Sequence, residues 1–250
     1  KAPTKNKLTI EQINQIKNYL RGDFELIQPL PDKLEVIERK LVRLTENQYK
    51  ALDRLEENDR ILFKGTAGTG KTLIAIEKAK RELYENNRVL FLCYNKLLGA
   101  KLNKYFKEFN LSIEANSLHG YFYKVINESK YKHEFQRLLN SEKNQEKIYK
   151  NIYPEFFIKA IAGKKERFKY LIVDEGQDLM DFDWIDPLDY VLDGGIENGR
   201  WSIFYDSNNQ GEMYRNFNPT FVQYIKSCGA VEYILDLNCR NTKPILTPID

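Results

Sequence analysis

The chain has 250 residues, of which 42% are hydrophobic and 13% aromatic, so it is long and apolar enough to bury one large or two small globular cores. Its 39 basic and 36 acidic residues leave a net charge of +3, so a nucleic-acid partner has to be argued from local patches rather than from overall charge. Three scattered cysteines argue against a zinc site or a disulfide framework, and no apolar run is long enough for a membrane span, so we expect a cytoplasmic protein without a membrane partner.

Residues 1–43 are predicted to form an N-terminal leader or linker that carries no chemistry. The capping box Thr9-Ile10-Glu11-Gln12 opens a helix, and Pro29 and Pro31 then make an irregular connection. The chain begins at Lys1 rather than at a methionine and stops at Asp250 without a closing helix signal. We therefore expect it to be a piece of a longer protein.

Gln48, in the helix that begins near Thr45, has two interpretations. It stands at the third position after Thr45, where it completes a capping box. Its side-chain amide can equally address an adenine edge, because this helix leads into the strand before a glycine-rich loop. From the residues alone both interpretations remain open.

That glycine-rich loop satisfies G-x-x-x-x-G-K-[ST] in full and is predicted to bind nucleotide phosphates. An apolar run, Arg60 to Lys64, precedes it, and strong helix formers at helical spacing follow, which is the strand, loop and helix order that such a site needs. Backbone N–H groups surround the phosphates, Lys71 adds positive charge and the Thr72 hydroxyl can ligate Mg²⁺. The loop consists of Gly65, Thr66, Ala67, Gly68, Thr69, Gly70, Lys71 and Thr72.

Two further strand ends carry polar residues. Asn95 and Lys96 follow the apolar run Arg88 to Tyr94, and Ser117 and His119 follow a short strand. Ligand-contacting groups of α/β sheets lie at the carboxyl ends of strands, so these residues can contact a substrate. An ordinary strand-to-helix turn remains the alternative for Asn95 and Lys96, and a satisfied loop histidine for His119.

Residues 121–168 are predicted to be a helical insertion rich in lysine and aromatic residues. Basic residues interleaved with aromatics suit single-stranded nucleic acid, through phosphate contacts and base stacking. Most of these aromatic residues are nevertheless expected to pack the helices together.

The apolar strand Tyr170 to Val173 delivers Asp174 and Glu175 to the same sheet edge as the loop. Asp174 is expected to hold Mg²⁺, and Glu175 to orient and deprotonate the attacking water. Two later strands end in polar clusters, Asp206 to Gln210 and Asn238 to Thr242. Arg240, in the second cluster, could reach a γ-phosphate, but taken alone it is better explained as an ordinary surface arginine.

The order of these motifs resembles superfamily 1 DNA helicases of the UvrD/Rep type. Leu44 to Gln48 is similar to the family's adenine-reading Q motif, Phe91 to Lys96 to motif Ia, and Ser117 to Gly120 to the next segment that contacts single strands. Asp174 to Asp178 is close to the family's D-E-x-Q-D, and Asn238 to Asn241 to motif IV. The resemblance implies γ-phosphate sensing by Gln177 and a catalytic phosphate contact for Arg240.

Two departures from the family pattern stand out. The family's motif III usually reads G-D-x-x-Q, whereas Tyr205 replaces the glycine here and the stretch to Gln210 is one residue longer, so Asn209 competes with Gln210 for the role that couples ATP to DNA. The motifs of a second motor domain are missing after Arg240.

The resemblance implies an α/β, P-loop NTPase fold of RecA-like type, with three α/β/α layers around a mainly parallel sheet. Residues 44–250 are then the first motor domain of an ATP-dependent DNA helicase or translocase, with ATP and Mg²⁺ as cofactors and single-stranded or partly duplex DNA as partner. Catalysis is expected from Lys71, Glu175, Gln177 and Arg240, and the fragment alone is expected to hydrolyse ATP weakly. An ATP-gated sensor or scaffold that never moves along DNA is the alternative, and a GTPase is disfavoured by the lack of N-K-x-D.

Overall fold

The computed structural model describes residues 46–164, 166–179, 182–206 and 219–235. They belong to one unit of the chain, residues 44–250. Within these ranges no helix is long and apolar enough to cross a membrane.

The described strands form one sheet in which every pairing is parallel. In chain order the strands are β1 Arg60–Gly65, β2 Val89–Cys93, β3 Glu114–Ser117, β4 Tyr170–Asp174, β5 Arg200–Tyr205 and β6 Val231–Leu235. Their order across the sheet is β3-β2-β4-β5-β1-β6. All carboxyl ends therefore meet at one edge of the sheet, here called the carboxyl edge.

Helices connect the strands. They are α1 Glu46–Arg54, α2 Lys71–Tyr84, α3 Lys96–Glu108, α4 Leu118–Asn127, α5 Lys132–Ser141, α6 Gln145–Lys147, α7 Tyr153–Ile161, α8 Ile185–Val191, α9 Gly195–Asn198 and α10 Pro219–Ser227. A π-helical turn, Ile148–Ile152, joins α6 to α7, and 3-10 turns occupy Gly176–Asp178 and Phe182–Trp184.

The burial of the strands follows their place in the sheet. Every residue of β2 and β4 is buried, and so are all but the first of β5, as expected for parallel strands covered on both faces. The outer strand β6 has mostly partly exposed residues. The near-continuous apolar runs in the sequence therefore predicted the central strands correctly.

The insertion between β3 and β4 is a helical subregion whose aromatic rings mostly point inward. Phe122 and Phe157 stack with ring centroids 4.0 Å apart, and Phe135 contacts Phe156 at 5.5 Å. These rings are buried in the same apolar cluster as Leu92 and Leu171 of the sheet. The expectation that most aromatics here pack helices together is confirmed.

A buried ionic network lies at the opposite, amino edge of the sheet. The Lys78 ammonium lies 2.8 Å from one carboxylate oxygen of Glu82, and Arg200 lies 3.1 Å from the other. Asn87 also donates to Glu82, at 2.8 Å, and both cations face the ring of Tyr170. Each oxygen of this buried carboxylate is thus paired, as a buried charge requires.

Candidate functional site

The loop between β1 and α2 has the geometry of a phosphate cradle. Gly68 and Gly70 adopt φ values of 91° and 84°, a left-handed conformation that favours glycine. The Thr69 hydroxyl donates a 2.9 Å hydrogen bond to the Thr66 carbonyl and closes the loop on itself. The loop ends where α2 begins, so its backbone N–H groups and the positive end of the helix dipole can face an anion.

The Lys71 side chain lies buried within this loop. Its ammonium donates hydrogen bonds to the carbonyl oxygens of Gly65, at 2.8 Å, and Thr66, at 3.1 Å. Asp206, directly after β5, lies 3.6 Å from the same ammonium. The positive charge is therefore held where phosphate oxygens would enter the loop.

Asp174 brings a carboxylate to the same edge at the end of β4. It is 0% exposed, and its Oδ2 has no hydrogen-bond partner among the described residues. Burial raises the pKa of Asp174 to about 6, the charge of Glu175 adds to the rise, and a hydrogen bond from Thr72 opposes it. Glu82, the buried carboxylate at the amino edge, has both oxygens paired. The fold therefore pairs a buried carboxylate at the amino edge but leaves Asp174 Oδ2 without a partner among the described residues at the carboxyl edge.

Thr72 and Asp174 fit a magnesium ion. A hydroxyl and a carboxylate are hard oxygen ligands, and Mg²⁺ usually takes one or two carboxylates together with substrate phosphates and water. Within the described ranges no group of three or more His, Cys, Asp or Glu side chains gathers around one point. The arrangement therefore suits a metal shared with a nucleotide and not a closed protein cage.

Glu175, Gln177 and Asp206 form a chain of contacts across two strand ends. Glu175 has φ 53° and ψ 44°, an uncommon backbone conformation for a residue other than glycine. Gln177 Nε2 donates to Glu175 Oε2 at 2.7 Å, while Gln177 Oε1 accepts from the Asp206 N–H at 3.0 Å. The Gln177 amide thus links the carboxylate of Glu175 to the end of β5, which lies between β4 and β1.

Gln48 contacts the phosphate loop itself. Its side chain is 5% exposed, and Nε2 donates a 2.8 Å hydrogen bond to the Thr69 carbonyl. A Cβ added at Gly70 would clash with this amide nitrogen. Its predicted partner in a capping box, Thr45, lies outside the described residues, and the structure adds a contact that neither interpretation included.

The residues predicted to contact nucleic acid lie at the carboxyl ends of β2 and β3, and two of them cap helices. Asn95 Oδ1 accepts from the N–H groups of Leu97, at 2.8 Å, and Leu98, at 3.2 Å. Ser117 is 3% exposed, and its hydroxyl accepts from the Gly120 N–H at 3.2 Å. Lys96 is exposed and has no ion pair among the described residues.

His119 is half-buried among aromatic rings. Its ring centroid lies 4.6 Å from that of Tyr149, 4.8 Å from Trp184 and 5.6 Å from Tyr153. Burial lowers the pKa of His119 to about 4, so the ring is neutral at pH 7. A phosphate contact through a charged imidazole is therefore not available at this position.

The predictions for Gln210, its competitor Asn209 and Arg240 concern positions outside the described residues. Asp206 belongs to the polar cluster that the sequence placed at a strand end, but no role was predicted for Asp206 itself. The available signal was its place at the end of a buried strand, where Asp174 also lies.

A phosphate-binding loop and a buried carboxylate at the carboxyl edge of an all-parallel sheet define a P-loop NTPase of RecA-like fold, which confirms the predicted fold class. The sequence matches the model of the family described as Type III restriction enzyme, res subunit, over residues 27–178, more than half of the chain. The chain belongs to this family. No curated protein matches the sequence.

Three solved structures illustrate more distant likeness. Pif1 helicase from Candida albicans is 15% identical, with a TM-score of 0.38 over 66% of this chain and 33% of that one. AMPPCP-bound DnaA from Aquifex aeolicus is 14% identical, with a TM-score of 0.39 over 79% of this chain and 50% of that one. Pif1 from Bacteroides sp in complex with ADP-AlF4 is 15% identical, with a TM-score of 0.41 over 82% of this chain and 44% of that one. The chain spans between a third and a half of these structures, and likenesses this distant carry no argument about function.

Proposed function

We propose that residues 44–250 are the first, ATP-binding motor domain of an ATP-dependent DNA helicase or translocase that acts on single-stranded DNA. One observation carries the proposal: Asp174 is fully buried at the end of β4, and its Oδ2 has no hydrogen-bond partner among the described residues, although Lys71 and Thr72 of the phosphate loop lie close enough to lower its pKa. A folded protein leaves a buried carboxylate oxygen unpaired at a cost, and a metal ion brought by a nucleotide would remove that cost.

The loop residues would bind the phosphates of ATP. Backbone N–H groups of Gly65–Thr72 would surround them, and the Lys71 ammonium would exchange its carbonyl partners for phosphate oxygens. Thr72 and Asp174 would hold Mg²⁺, which when bound neutralises charge on the phosphates. Gln48, through its hydrogen bond to Thr69, would hold the loop in shape, and we retain adenine contact as a second proposed role.

Glu175 is proposed to orient the attacking water and take its proton. The Gln177 amide holds the Glu175 carboxylate at 2.7 Å, so entry of the γ-phosphate would compete for the same amide. Because Gln177 also binds the end of β5, its movement would be transmitted to the segment that begins at Asp206. Gln210 and Arg240 remain proposed participants on the strength of the resemblance alone.

Single-stranded DNA is proposed to cross the ends of β2 and β3. Lys96 is the best-placed residue for a phosphate contact, because it is exposed and begins α3 at this edge. Asn95 and Ser117 are better explained as helix caps that shape the surface. We further propose that a second motor domain completes the nucleotide cleft. We also propose that the motor is of the UvrD/Rep type, which the D-E-G-Q-D order at Asp174–Asp178 supports.

ATP hydrolysis by the longest natural protein that carries this sequence tests the proposal. We expect single-stranded DNA to stimulate hydrolysis, and Glu175→Gln to reduce kcat by about 100-fold or more because the general base is removed. The variant should still bind ATP. Hydrolysis that single-stranded DNA leaves unchanged, with ATP binding intact, would instead identify the ATP-gated sensor.

A further inference from the structure

The insertion exposes two tyrosine rings, Tyr123 and Tyr149, and of these Tyr149 contacts His119 at the carboxyl edge. Tyr149 is 42% exposed, although its ring contacts His119 edge-on at 4.6 Å and lies nearly parallel to Tyr153, with an interplanar angle of 16° and 5.6 Å between centroids. His119 stands two residues after the end of β3. The Tyr149 ring therefore lies beside the strand ends that are proposed to bind single strands.

The backbone at Tyr149 is anchored on both sides. Tyr149 belongs to the π-helical turn Ile148–Ile152, whose first and last residues are buried in the apolar cluster. π-helical turns are rare and often occur at functional sites. Anchoring on both sides and contacts with two neighbouring rings leave the Tyr149 side chain little freedom to lose, which favours binding of a flat ligand to the exposed part of the ring.

The imidazole that contacts Tyr149 is uncharged, and the lysines closest to Tyr149 in the sequence are paired. His119 carries no charge at pH 7, because burial lowers its pKa to about 4. The nearby lysines are paired, Lys147 with Glu142 at 2.7 Å and Lys150 with Glu146 at 3.3 Å. Such a site suits the uncharged face of a nucleobase better than a phosphate group.

We propose that Tyr149 is a base-stacking residue, and that its exposed ring binds a nucleobase of a single strand whose phosphates contact Lys96 at the neighbouring strand end. The inference rests on the proposed function, since it requires a single strand at this edge. It adds a nucleic-acid contact from the insertion, which neither the motifs nor the family match supplied.

Binding of fluorescent oligothymidylate to the 250-residue chain, followed by anisotropy, tests the inference. Tyr149→Leu keeps an apolar side chain against His119 but lacks a π face, so we expect it to weaken binding by at least about 5-fold. Tyr149→Trp should retain binding. An abasic oligomer, which has the phosphates without the bases, should bind the wild type and Tyr149→Leu equally.

Tyr84→Ala is the matched control. Tyr84 is 73% exposed but ends α2, about 20 Å along the helix from the phosphate loop, so its loss should leave binding unchanged. Wild-type chain that binds no oligothymidylate would overturn both the proposed function and this inference. The inference alone would be overturned by either of two results in which the wild type binds oligothymidylate. In the first, Tyr149→Leu binds oligothymidylate as tightly as the wild type. In the second, Tyr149→Leu weakens the binding of oligothymidylate and of the abasic oligomer by the same factor. Unchanged thermal unfolding of Tyr149→Leu would show that the fold is intact.

Discussion

At Asp174 the fold buries a carboxylate whose Oδ2 has no hydrogen-bond partner among the described residues, whereas both oxygens of the buried Glu82 carboxylate are paired. Burial and the neighbouring Glu175 charge raise the pKa of Asp174 from 3.8 to about 6. The folded state therefore binds this proton more tightly than the unfolded chain does. Protonated Asp174 therefore stabilises the folded state fully below about pH 4, and this stabilisation is lost as the pH rises through about 6.

Asp174→Asn should therefore stabilise the chain in the absence of nucleotide and Mg²⁺. We expect the free energy of unfolding to rise by on the order of 2 kcal/mol at pH 8, because the buried charge is removed. The gain should shrink as the pH falls from about 6 to 4, where Asp174 of the wild type becomes protonated. Urea denaturation at several pH values measures this difference, and a variant less stable than the wild type at pH 8 would contradict the interpretation. The same variant should lose Mg²⁺-dependent nucleotide binding.

Gln48 allows its two roles to be separated. Since its amide nitrogen holds the Thr69 carbonyl, Gln48→Ala should loosen the phosphate loop and weaken the binding of ATP and GTP alike, by about 10-fold for a lost buried hydrogen bond. Equilibrium binding of both nucleotides measures the effect. A loss confined to ATP would show adenine contact instead, and no loss for either nucleotide would exclude both roles.

The sequence located candidate residues through local spacing. The loop at Gly65–Thr72 was found from its complete motif, and the pair Asp174 and Glu175 from its place at the end of an apolar run, and the structure places both at the carboxyl edge. Asn95 and Ser117 show the limit of that reasoning. Polar residues at a strand end can bind a ligand or cap the next helix, and only the hydrogen bonds to Leu97, Leu98 and Gly120 showed that these side chains act as caps.

Among the secondary-structure elements, the packing of α3 on β3 depends on a glycine. A Cβ at Gly99 would lie 2.7 Å from the backbone carbon of Asn116, closer than real Cβ atoms approach. The helix therefore lies directly on the strand that leads to Ser117 and His119, which keeps the proposed nucleic-acid surface in place.

Gly99→Ala should consequently destabilise the chain, by about 1–3 kcal/mol, even though alanine has the better helix propensity. The matched control is Gly163→Ala, where an added Cβ meets nothing within 4 Å. Chemical denaturation of both variants provides the comparison. Equal stability of the two variants would mean that α3 can move away from β3 without cost.

The insertion shows why composition alone did not settle its role. Its lysines and aromatic residues are interleaved along the sequence, which suggested a nucleic-acid surface. Helical periodicity instead turns Phe122, Phe135, Phe156 and Phe157 into the core. Tyr149 stays exposed because it lies between two buried isoleucines in a π-helical turn, and no local pattern indicated that turn.

For the whole molecule, the sheet separates two kinds of buried charge. At the amino edge, Arg200 reaches Glu82 across 118 positions of sequence, and the network is complete within the protein. At the carboxyl edge, Lys71 and Asp174 have the capacity for further partners. Both arrangements depend on the strand order, which places β5 between β4 and β1. The sequence could not predict that order, because local periodicity does not encode which strands pair.

Gly65–Thr72 and Asp174 are proposed to form one nucleotide site. Calorimetric titration of the 250-residue chain with ATP and Mg²⁺ measures binding at this site. We expect binding by the wild type, none by Lys71→Ala, which removes the ammonium held inside the loop, and full binding by Lys107→Ala on the exposed side of α3. Equal ATP affinity of the wild type and a folded Lys71→Ala variant would contradict the claim.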